Sequence, residues 1–371
     1  MLSSISIKNF KGFKDIHIRD LAPITLIGGK NNVGKSSFLE ALFLLYSAYA
    51  PQAFGQQFSL RGAGNLYHNT IENWAVMFYN GDVDKPMEIG AQTDDGLYQL
   101  TYTIDKLGHA PDINIPPEIT SQVGPLQNAN APAGVLKSSF AKDGNTLCEI
   151  AMYANGMART NKKVNSEELP KATIILTGNV RTFNAQVLTE LDINNQMGMV
   201  LDALRIIEPS IKSISVVPVE NRRTMVINGV PNVQVTTNAE VYVDIGLARK
   251  MPLKLMGDGM GHLVNFIIAI VNSRNGIVLI DEIENGIHYS LRKDLWIKLI
   301  NIAKQFNCQL IATTHSYECL QSAVEAVGEG EGEGENFSYI RLDEDKNRSI
   351  HAVSYTTEDL RFALQRNMEV R

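Results

Sequence analysis

The sequence predicts an α/β protein with a mixed sheet, antiparallel strands at its N-terminus and an insertion that contains strands and a helix. Residues 23–49 have the pattern of a buried strand, a glycine-rich loop and a helix. From residue 259 onward, helical patterns alternate with short buried strands, which is typical of a parallel sheet. We therefore expect the two ends of the chain to share one sheet.

The N-terminal elements follow from the spacing of apolar residues. Residues 3–10 and 16–19 alternate apolar and polar side chains, as a half-buried pair of strands does. The apolar run ITLIG at 24–28 is stopped by glycine and predicts a buried strand. Apolar residues at helical spacing predict a helix over 35–49, which ends before Pro51.

The middle of the chain is predicted to be an insertion. Turn signals at Asn155–Gly156 and Asn228–Gly229 indicate hairpins, and residues 109–135, rich in Pro, Asn, Ala and Gly, predict a mobile loop. The other elements predicted here are strands at 85–105, 147–159, 211–219, 224–235 and 241–245 and a helix at 184–208. We expect a discontinuous domain, residues 1–105 and 210–371, interrupted by an insertion at 106–209.

The C-terminal part is predicted to alternate helices and strands. A helix from residue 259 precedes buried strands at 276–281 and 309–313, which flank an amphipathic helix at 289–306. The acidic segment GEGEGEGEN at 328–336 predicts a solvated loop before a strand at 337–343.

Length and composition place the chain among folded globular proteins. It has 371 residues, of which 44% are hydrophobic and 20% charged, so it can bury a sizeable core. The longest apolar run, residues 263–271, is about half the length of a membrane span, and residues 1–9 lack the features of a secretory signal. We therefore expect a cytoplasmic protein with no membrane partner.

Cysteines and charges exclude further classes. Cys148, Cys308 and Cys319 are odd in number and lack CxxC spacing, which predicts neither a disulfide framework nor a cysteine zinc site. The net charge of −6 argues against a chain coated in nucleic acid. Basic residues form either a solvated face or a local groove for a DNA backbone, and they occur at Lys8, Lys11, Lys14, Arg159, Lys162, Lys163, Arg222, Arg223, Arg249 and Lys250.

The segment GKNNVGKS at 29–36 matches the phosphate-binding pattern GxxxxGK[ST] between a predicted strand and a predicted helix. Its backbone N–H groups are expected to hold phosphate oxygens, Lys35 to reach the β and γ phosphates, and Ser36 to bind Mg²⁺. The alternative is a glycine turn before a helix. The predicted nucleotide-binding residues are Gly29, Lys30, Asn31, Asn32, Val33, Gly34, Lys35, Ser36 and Ser37.

Two later segments could complete such a site. The strand IVLIDE at 277–282 ends in Asp281, a candidate magnesium ligand, and Glu282, a candidate for polarising the attacking water. The alternative is an acidic strand end that caps the next helix. In ATTHS at 312–316, His315 could contact the γ-phosphate and sense its loss, although most histidines are ordinary surface or core residues.

These segments together resemble the ABC class of P-loop ATPases, and more narrowly the branch of SMC, Rad50, RecF and OLD proteins. The resemblance rests on SIKNFKGFKDIHI at the N-terminus, GKNNVGKSS, LMGDGMGHL at 255–263, VLIDEIENGIHYSL at 278–291 and ATTHS. The chain is similar to compact bacterial AAA_15 and AAA_21 ATPases of anti-phage defence systems. The resemblance implies an ABC/SMC-head-like fold, ATP and Mg²⁺ as cofactors, and slow, regulatory hydrolysis of ATP to ADP and phosphate.

The resemblance also implies self-association, as a homodimer or a higher even oligomer. In this class a signature loop contacts the γ-phosphate of ATP bound to the other subunit, and the matching residues here are Gly257, Asp258 and Gly259. Gly257 replaces the serine of the transporter signature LSGGQ, so backbone N–H groups are the expected contacts. The glutamine that links ATP state to the insertion has three candidates: Gln56, Gln57 and Gln92.

Two functions are compatible with this resemblance. The first is an ATP-switched dimer that regulates a separate effector, a nuclease or toxin, in anti-phage defence. The second is a RecF-like ATPase that grips double-stranded DNA in repair or recombination. A transporter ATPase is disfavoured because LSGGQ is absent, and an SMC protein because sustained heptads are absent.

Overall fold

The computed structural model describes residues 1–64, 70–106, 134–153, 157–163, 171–176, 185–227, 230–329 and 336–366, with Met368 and Val370. The α-helices are α1 Lys35–Tyr46, α2 Ala53–Leu60, α3 Ile71–Ala75, α4 Ala185–Ile193, α5 Met197–Ile207, α6 Asp258–Asn272, α7 Arg292–Gln305, α8 Tyr317–Glu329 and α9 Thr357–Gln365. None of the helices in these ranges combines the length and apolar character that crossing a membrane requires.

The strands belong to three sheets. They are β1 Leu2–Phe10, β2 Phe13–Ile18, β3 Ile24–Gly29, β4 Met87–Thr93, β5 Gly96–Asp105, β6 Val135–Lys142, β7 Asn145–Tyr153, β8 Ala158–Lys162, β9 Ala172–Ile175, β10 Ser213–Ile227, β11 Val230–Asp244, β12 Met251–Pro252, β13 Ile277–Ile280, β14 Gln309–Thr313, β15 Phe337–Glu344 and β16 Ile350–Tyr355.

The chain forms two compact units, each made of several segments. The first contains Met1–Leu21, Asn32–Pro170 and Leu342–Ala352, and the second contains Ala22–Asn31, Lys171–Arg341 and Val353–Arg371. The division expected from sequence, with an insertion at 106–209, stays a prediction.

The first unit is built on a seven-stranded sheet in the order β2-β1-β4-β5-β6-β7-β8. Its neighbouring strands pair antiparallel, and Ile7 of β1 lies opposite Ile16 on one side and Ile89 on the other. Alternate residues of β1 and β4 are buried, because only one face of the sheet packs against a core that includes α1. The prediction of antiparallel strands at the N-terminus is confirmed.

The second unit contains a six-stranded sheet in the order β16-β15-β3-β14-β13-β9. Strands β3, β14, β13 and β9 pair in parallel. Every residue of β3, β13 and β14 is buried, as expected for parallel strands that helices cover on both faces. Helix α6 packs on β13 and β9, and α7 connects β13 to β14. This parallel pairing brings the carboxyl ends of these four strands to one edge.

Several elements differ from their sequence-based predictions. Strand β6 follows the predicted loop at 109–135 and was not predicted, and β11 is one continuous strand where two short segments were predicted. The helix predicted at 184–208 is divided into α4 and α5, with Asn195 between them in the left-handed region (φ 55°). The turns at Asn155–Gly156 and Asn228–Gly229, most of the 109–135 loop and most of the acidic loop at 328–336 lie outside the described residues.

A buried ion-pair cluster anchors α1 within the first unit. The Glu40 side chain is fully buried, with Oε2 2.6 Å from Lys11 Nζ and Oε1 2.6 Å from Arg61 Nε. Burial lowers the pKa of Lys11, and Glu40 opposes that shift. Removing one member of such a cluster leaves charge buried without compensation. The cluster therefore links the β1–β2 turn, α1 and the end of α2.

We expect Glu40→Ala to lower the free energy of unfolding by about 3 kcal/mol, because Lys11 would keep its buried charge without its counter-charge. The matched control is Glu88→Ala, which removes the half-exposed partner of Lys8, 4.0 Å away, and should cost about 1 kcal/mol or less. Urea unfolding followed by circular dichroism measures both. Equal losses would contradict an anchoring role for Glu40.

Candidate active site

The loop between β3 and α1 has a backbone suited to binding an anion. Gly29, Asn32 and Gly34 have φ angles of 131°, 65° and 89°, all in the left-handed region. Gly34 precedes the first turn of α1, and a Cβ atom there would lie 2.8 Å from the Phe13 ring. Alternation of right-handed and left-handed residues turns successive N–H groups toward one side, which creates a concave site for phosphate.

The side chains of this loop divide into two kinds. Lys30, Asn31 and Asn32 are exposed, whereas Val33 is only 4% exposed and can offer a ligand little beyond its backbone N–H. Lys35 is 9% exposed, and the first turn of α1 has no acidic residue. A helix N-terminus that carries a lysine and no acidic residue in its first turn favours a negatively charged ligand.

The parallel register brings the predicted loop and the predicted acids together at one sheet edge. Ile27 lies opposite Thr313, and Ala312 lies opposite Ile280, so the residues that follow β3, β14 and β13 are neighbours. The N–H of Thr314 donates to the carbonyl of Ile27 (2.9 Å). Within the second unit, residues 29–31, Asp281, Glu282 and His315 therefore cluster around the same strand ends.

One threonine hydroxyl organises the two acids. Thr313 Oγ1 donates to Asp281 Oδ1 (2.6 Å) and accepts the backbone N–H of Glu282 (2.8 Å). Asp281 is 7% exposed, so this hydroxyl fixes a nearly buried carboxylate. Glu282 has a φ of 51°, an uncommon conformation for glutamate, and strain of this kind concentrates at functional sites.

The Glu282 carboxylate points to a more open position than that of Asp281. Its side chain is 36% exposed, and Oε2 accepts a hydrogen bond from Asn285 Nδ2 (2.7 Å). Its Oε1 lies 3.8 Å from His315 Nδ1. The structure thus places the predicted catalytic side chains of Glu282 and His315 side by side. Asn285, which the sequence analysis did not select, is a further residue of the site.

Sequence reasoning also missed Glu284. Its Oε1 lies 3.2 Å from His315 Nδ1 and accepts the backbone N–H of His315 (3.0 Å), and its side chain is only 4% exposed. The sequence signal was available, since the segment DEIE places a third acid two residues after Glu282, but adjacency to the histidine depends on the parallel register.

The signature segment begins a helix, as expected for a backbone contact with phosphate. Gly257 immediately precedes α6 with a φ of 96°, and Asp258 is exposed in the first turn. Gly259 is packed differently, because a Cβ atom on it would collide with the carbonyl oxygen of Gly286. The exposed part of this segment is therefore Gly257 and Asp258, and the role of all three residues stays a prediction.

The glutamine candidates all lie in the first unit. Gln56 and Gln92 are exposed, and Gln92 Nε2 donates to the carbonyl of the next residue, Thr93 (3.1 Å). Gln57 is 1% exposed, and its amide atoms have no hydrogen-bond partner in the part of the chain that the structure describes. None of the three is assigned as the linking glutamine.

The available donors fit magnesium. Ser36 offers a hydroxyl and Asp281 a carboxylate, which are hard oxygen ligands of the type that Mg²⁺ prefers together with phosphate oxygens and water. Ser36 follows Lys35 in the first turn of α1. The donor chemistry is therefore compatible with a metal-bound nucleoside triphosphate.

Comparison with known proteins identifies the class. Residues 1–148 match the family model of an AAA ATPase domain, and residues 165–320 match an AAA domain family whose description refers to the AbiEii toxin of a type IV toxin–antitoxin system. An ATP/GTP phosphatase of Helicobacter pylori is 26% identical over 359 residues, covering 89% of each chain. An uncharacterised protein of Methanocaldococcus jannaschii is 50% identical over 48 residues, 13% of this chain and 22% of that protein.

Solved structures agree on the fold. An SMC head bound to the C-winged helix domain of ScpA has a TM-score of 0.50 at 12% identity, covering 96% of this chain and 98% of that one. An SMC head with an extended coiled coil, bound to the C-terminal domain of ScpA derived from Pyrococcus furiosus, has a TM-score of 0.50 at 11% identity, covering 99% of both.

Fold and sequence together define a nucleotide triphosphatase with an SMC-head-like α/β architecture. The two matching AAA domain families and the similar ATP/GTP phosphatase support NTPase activity, whereas the likeness to SMC heads is one of fold. The expected fold class is confirmed, and the roles of individual residues stay predictions.

We expect Thr313→Val to lower turnover by about tenfold or more, because the isosteric side chain releases Asp281 and leaves the Glu282 N–H unpaired. The free energy of unfolding should fall by about 1–3 kcal/mol. The matched control is Thr25→Val, which removes another buried hydroxyl, bonded to the Ala22 carbonyl (3.0 Å). Thr25→Val should lower the free energy of unfolding by a similar amount and leave the rate of phosphate release unchanged. Equal activity in the two variants would contradict the role given to Thr313.

Proposed function

We propose that this protein hydrolyses ATP to ADP and phosphate as a slow, regulatory enzyme that acts as an ATP-switched homodimer. The observation that carries the proposal is the hydrogen-bonded arrangement of Asp281, Thr313 and Glu282 beside the end of the phosphate-loop strand. It sets one carboxylate near the interior and presents the other to solvent. A magnesium ligand and a water-activating residue need these two different environments.

The phosphate loop and α1 have the task of binding the triphosphate. In the proposal, backbone N–H groups of residues 29–37 hold phosphate oxygens, and the Lys35 ammonium balances the charge of the β and γ phosphates. Ser36 and Asp281 hold Mg²⁺, which neutralises phosphate charge when bound. His315 contacts the γ-phosphate at the sheet edge.

Glu282 has the task of activating water. Its carboxylate accepts a proton as the water oxygen attacks the γ-phosphorus, the bond to the bridging oxygen breaks, and ADP leaves. Two hydrogen bonds hold Glu282 in place: Asn285 donates to its carboxylate, and the Thr313 hydroxyl accepts from its backbone N–H. The fixed geometry reduces the number of orientations that the base samples.

Two observations support a homodimer. Gly257 and Asp258 are exposed at the start of α6, where helix N–H groups could meet the γ-phosphate of a second subunit. Leu255 and Tyr289 of the same unit are 70% and 65% exposed, so a second subunit could cover these apolar side chains. A two-fold interface would complete two sites at once.

The proposed role is control of a separate effector, a nuclease or toxin, in anti-phage defence. Support comes from the toxin–antitoxin reference in one matching family and from SMC heads that were solved bound to a domain of ScpA. In the proposal, ATP closes the dimer and hydrolysis reopens it, so a bound effector would sense two arrangements of one surface.

The RecF-like alternative, an ATPase gripping double-stranded DNA, has weaker support. Lys14 lies on β2 and Lys162 on β8, the two opposite edges of the seven-stranded sheet. Six strand spacings separate them, about 29 Å. Lys14 and Lys162 therefore do not lie side by side on the sheet. A steep salt dependence of DNA binding with ATP would nevertheless favour this alternative.

We expect Glu282→Gln to retain ATP binding and to lose at least about a hundredfold in turnover, because the amide is nearly isosteric but cannot accept the proton of water. Lys35→Ala should instead lose binding. Equilibrium binding of a fluorescent ATP analogue and steady-state phosphate release measure the two properties. Unchanged phosphate release by Glu282→Gln would assign the base to another residue, and unchanged binding by Lys35→Ala would refute the loop assignment.

We expect two inactive variants, Lys35→Ala and Asp258→Arg, to recover activity when mixed. Asp258 is exposed in the first helical turn, so arginine there should block the contact in trans without disturbing the fold. Half of the dimers in an equal mixture are mixed, and each has one intact composite site, which predicts about a quarter of wild-type activity.

The matched control mixes Lys35→Ala with Glu282→Gln. Both changes damage the nucleotide side of a site, so the mixed dimer has no intact site and should stay inactive. Mass spectrometry of the intact complexes verifies that mixed dimers form in both experiments. Failure of the first mixture to recover, with mixed dimers present, would mean that each subunit works alone.

A further inference from the structure

Glu284 is a carboxylate with an unusual environment beside the proposed catalytic residues. It follows Glu282 by two positions, but its side chain is only 4% exposed, compared with 36% for Glu282. Burial of an ionised carboxylate is costly unless hydrogen bonds or a counter-charge compensate. The contacts of Glu284 should therefore indicate what the residue does.

Both contacts that the structure gives the Glu284 side chain lead to one residue. Oε1 accepts the backbone N–H of His315 at 3.0 Å and lies 3.2 Å from His315 Nδ1. Oε2 is buried and has no hydrogen-bond partner in the described ranges. A carboxylate kept only to stabilise the fold would be expected to pair both oxygens.

In the part of the chain that the structure describes, no lysine or arginine pairs with this carboxylate, whose partner is His315. Arg292, at the start of α7, donates from Nη1 to the Ser316 hydroxyl (2.9 Å) and from Nε to the Ile287 carbonyl (3.4 Å). Cys319 of α8 is a buried thiol, and burial, with a further contribution from the Glu284 charge, raises its pKa to about 12. The Glu284 side chain is thus directed to His315.

This contact determines which nitrogen of the imidazole is available to a ligand. With Nδ1 directed at Glu284, Nε2 on the other side of the ring is the nitrogen left for a ligand, and the His315 side chain is 46% exposed. Hydrogen bonds to the second nitrogen of a functional histidine orient the ring in this way. The ring also stays within 3.8 Å of Glu282 Oε1.

We propose that Glu284 is a positioning residue that holds His315 so that its Nε2 contacts the γ-phosphate of bound ATP. The inference rests on the proposed ATPase function and adds a residue that acts only through the histidine. Loss of Glu284 would leave nucleotide affinity nearly unchanged, because the phosphate loop is intact. It would slow turnover, because the imidazole would sample several orientations.

The test is a double-mutant cycle with Glu284→Gln and His315→Ala. Glu284→Gln keeps the shape and one acceptor but removes the charge, so kcat should fall about tenfold while KM changes less than about twofold. In the His315→Ala background, the same substitution should change kcat by less than about twofold, because the residue through which it acts is gone. The matched control is Glu325→Gln, an exposed acid on α8 that accepts from Gln321 (2.9 Å), and it should behave as wild type.

Two results would overturn the proposal: wild-type kcat in Glu284→Gln, or an equal loss of kcat in both backgrounds. If Glu284→Gln fails to fold, as judged by its thermal transition, Glu284→Asp serves in the same cycle because it keeps the charge and shortens the reach. Failure of the ATPase proposal itself is distinguishable. It would appear as turnover that is insensitive to Lys35→Ala and Glu282→Gln, whatever Glu284→Gln does.

Discussion

The parallel register of β3, β14 and β13 is the constraint on which the candidate site depends. Each strand contributes little by itself: a glycine, a threonine and an aspartate. Because Ile27 is opposite Thr313 and Ala312 is opposite Ile280, the residues after these strands meet at one edge. A register shift of one residue would turn Thr313 to the other face of the sheet and separate its hydroxyl from Asp281.

Two buried carboxylates show how the surroundings distinguish structural from functional acids. Glu40 has two cations within 2.6 Å and anchors a helix. Glu284, in contrast, keeps one oxygen without a hydrogen-bond partner in the described part of the chain. Full compensation favours stability, whereas incomplete compensation is tolerated where a ligand or a catalytic partner uses the remaining charge.

Sequence patterns predicted the local features of this protein well. Strand β14 begins and ends at the predicted residues. The glycine-rich loop connects a strand to a helix as predicted, and Gly29, Asn32 and Gly34 there adopt backbone angles that most other residues avoid. Long-range features were harder. Strand β6 was missed because its pairing with β5 spans the segment predicted to be a loop. Glu284 was missed because His315, which it contacts, lies 31 positions further along the chain. Close packing of Gly259 on Gly286 likewise has no local signal.

Sedimentation velocity of Glu282→Gln with Mg·ATP tests most directly whether a second subunit completes the nucleotide site. With ATP, the mass should rise from 41.0 kDa to about 82 kDa, because the γ-phosphate would join the two subunits, and with ADP it should stay that of one subunit. The same mass with both nucleotides, under conditions where ATP binding is saturated, would contradict the ATP-switched dimer.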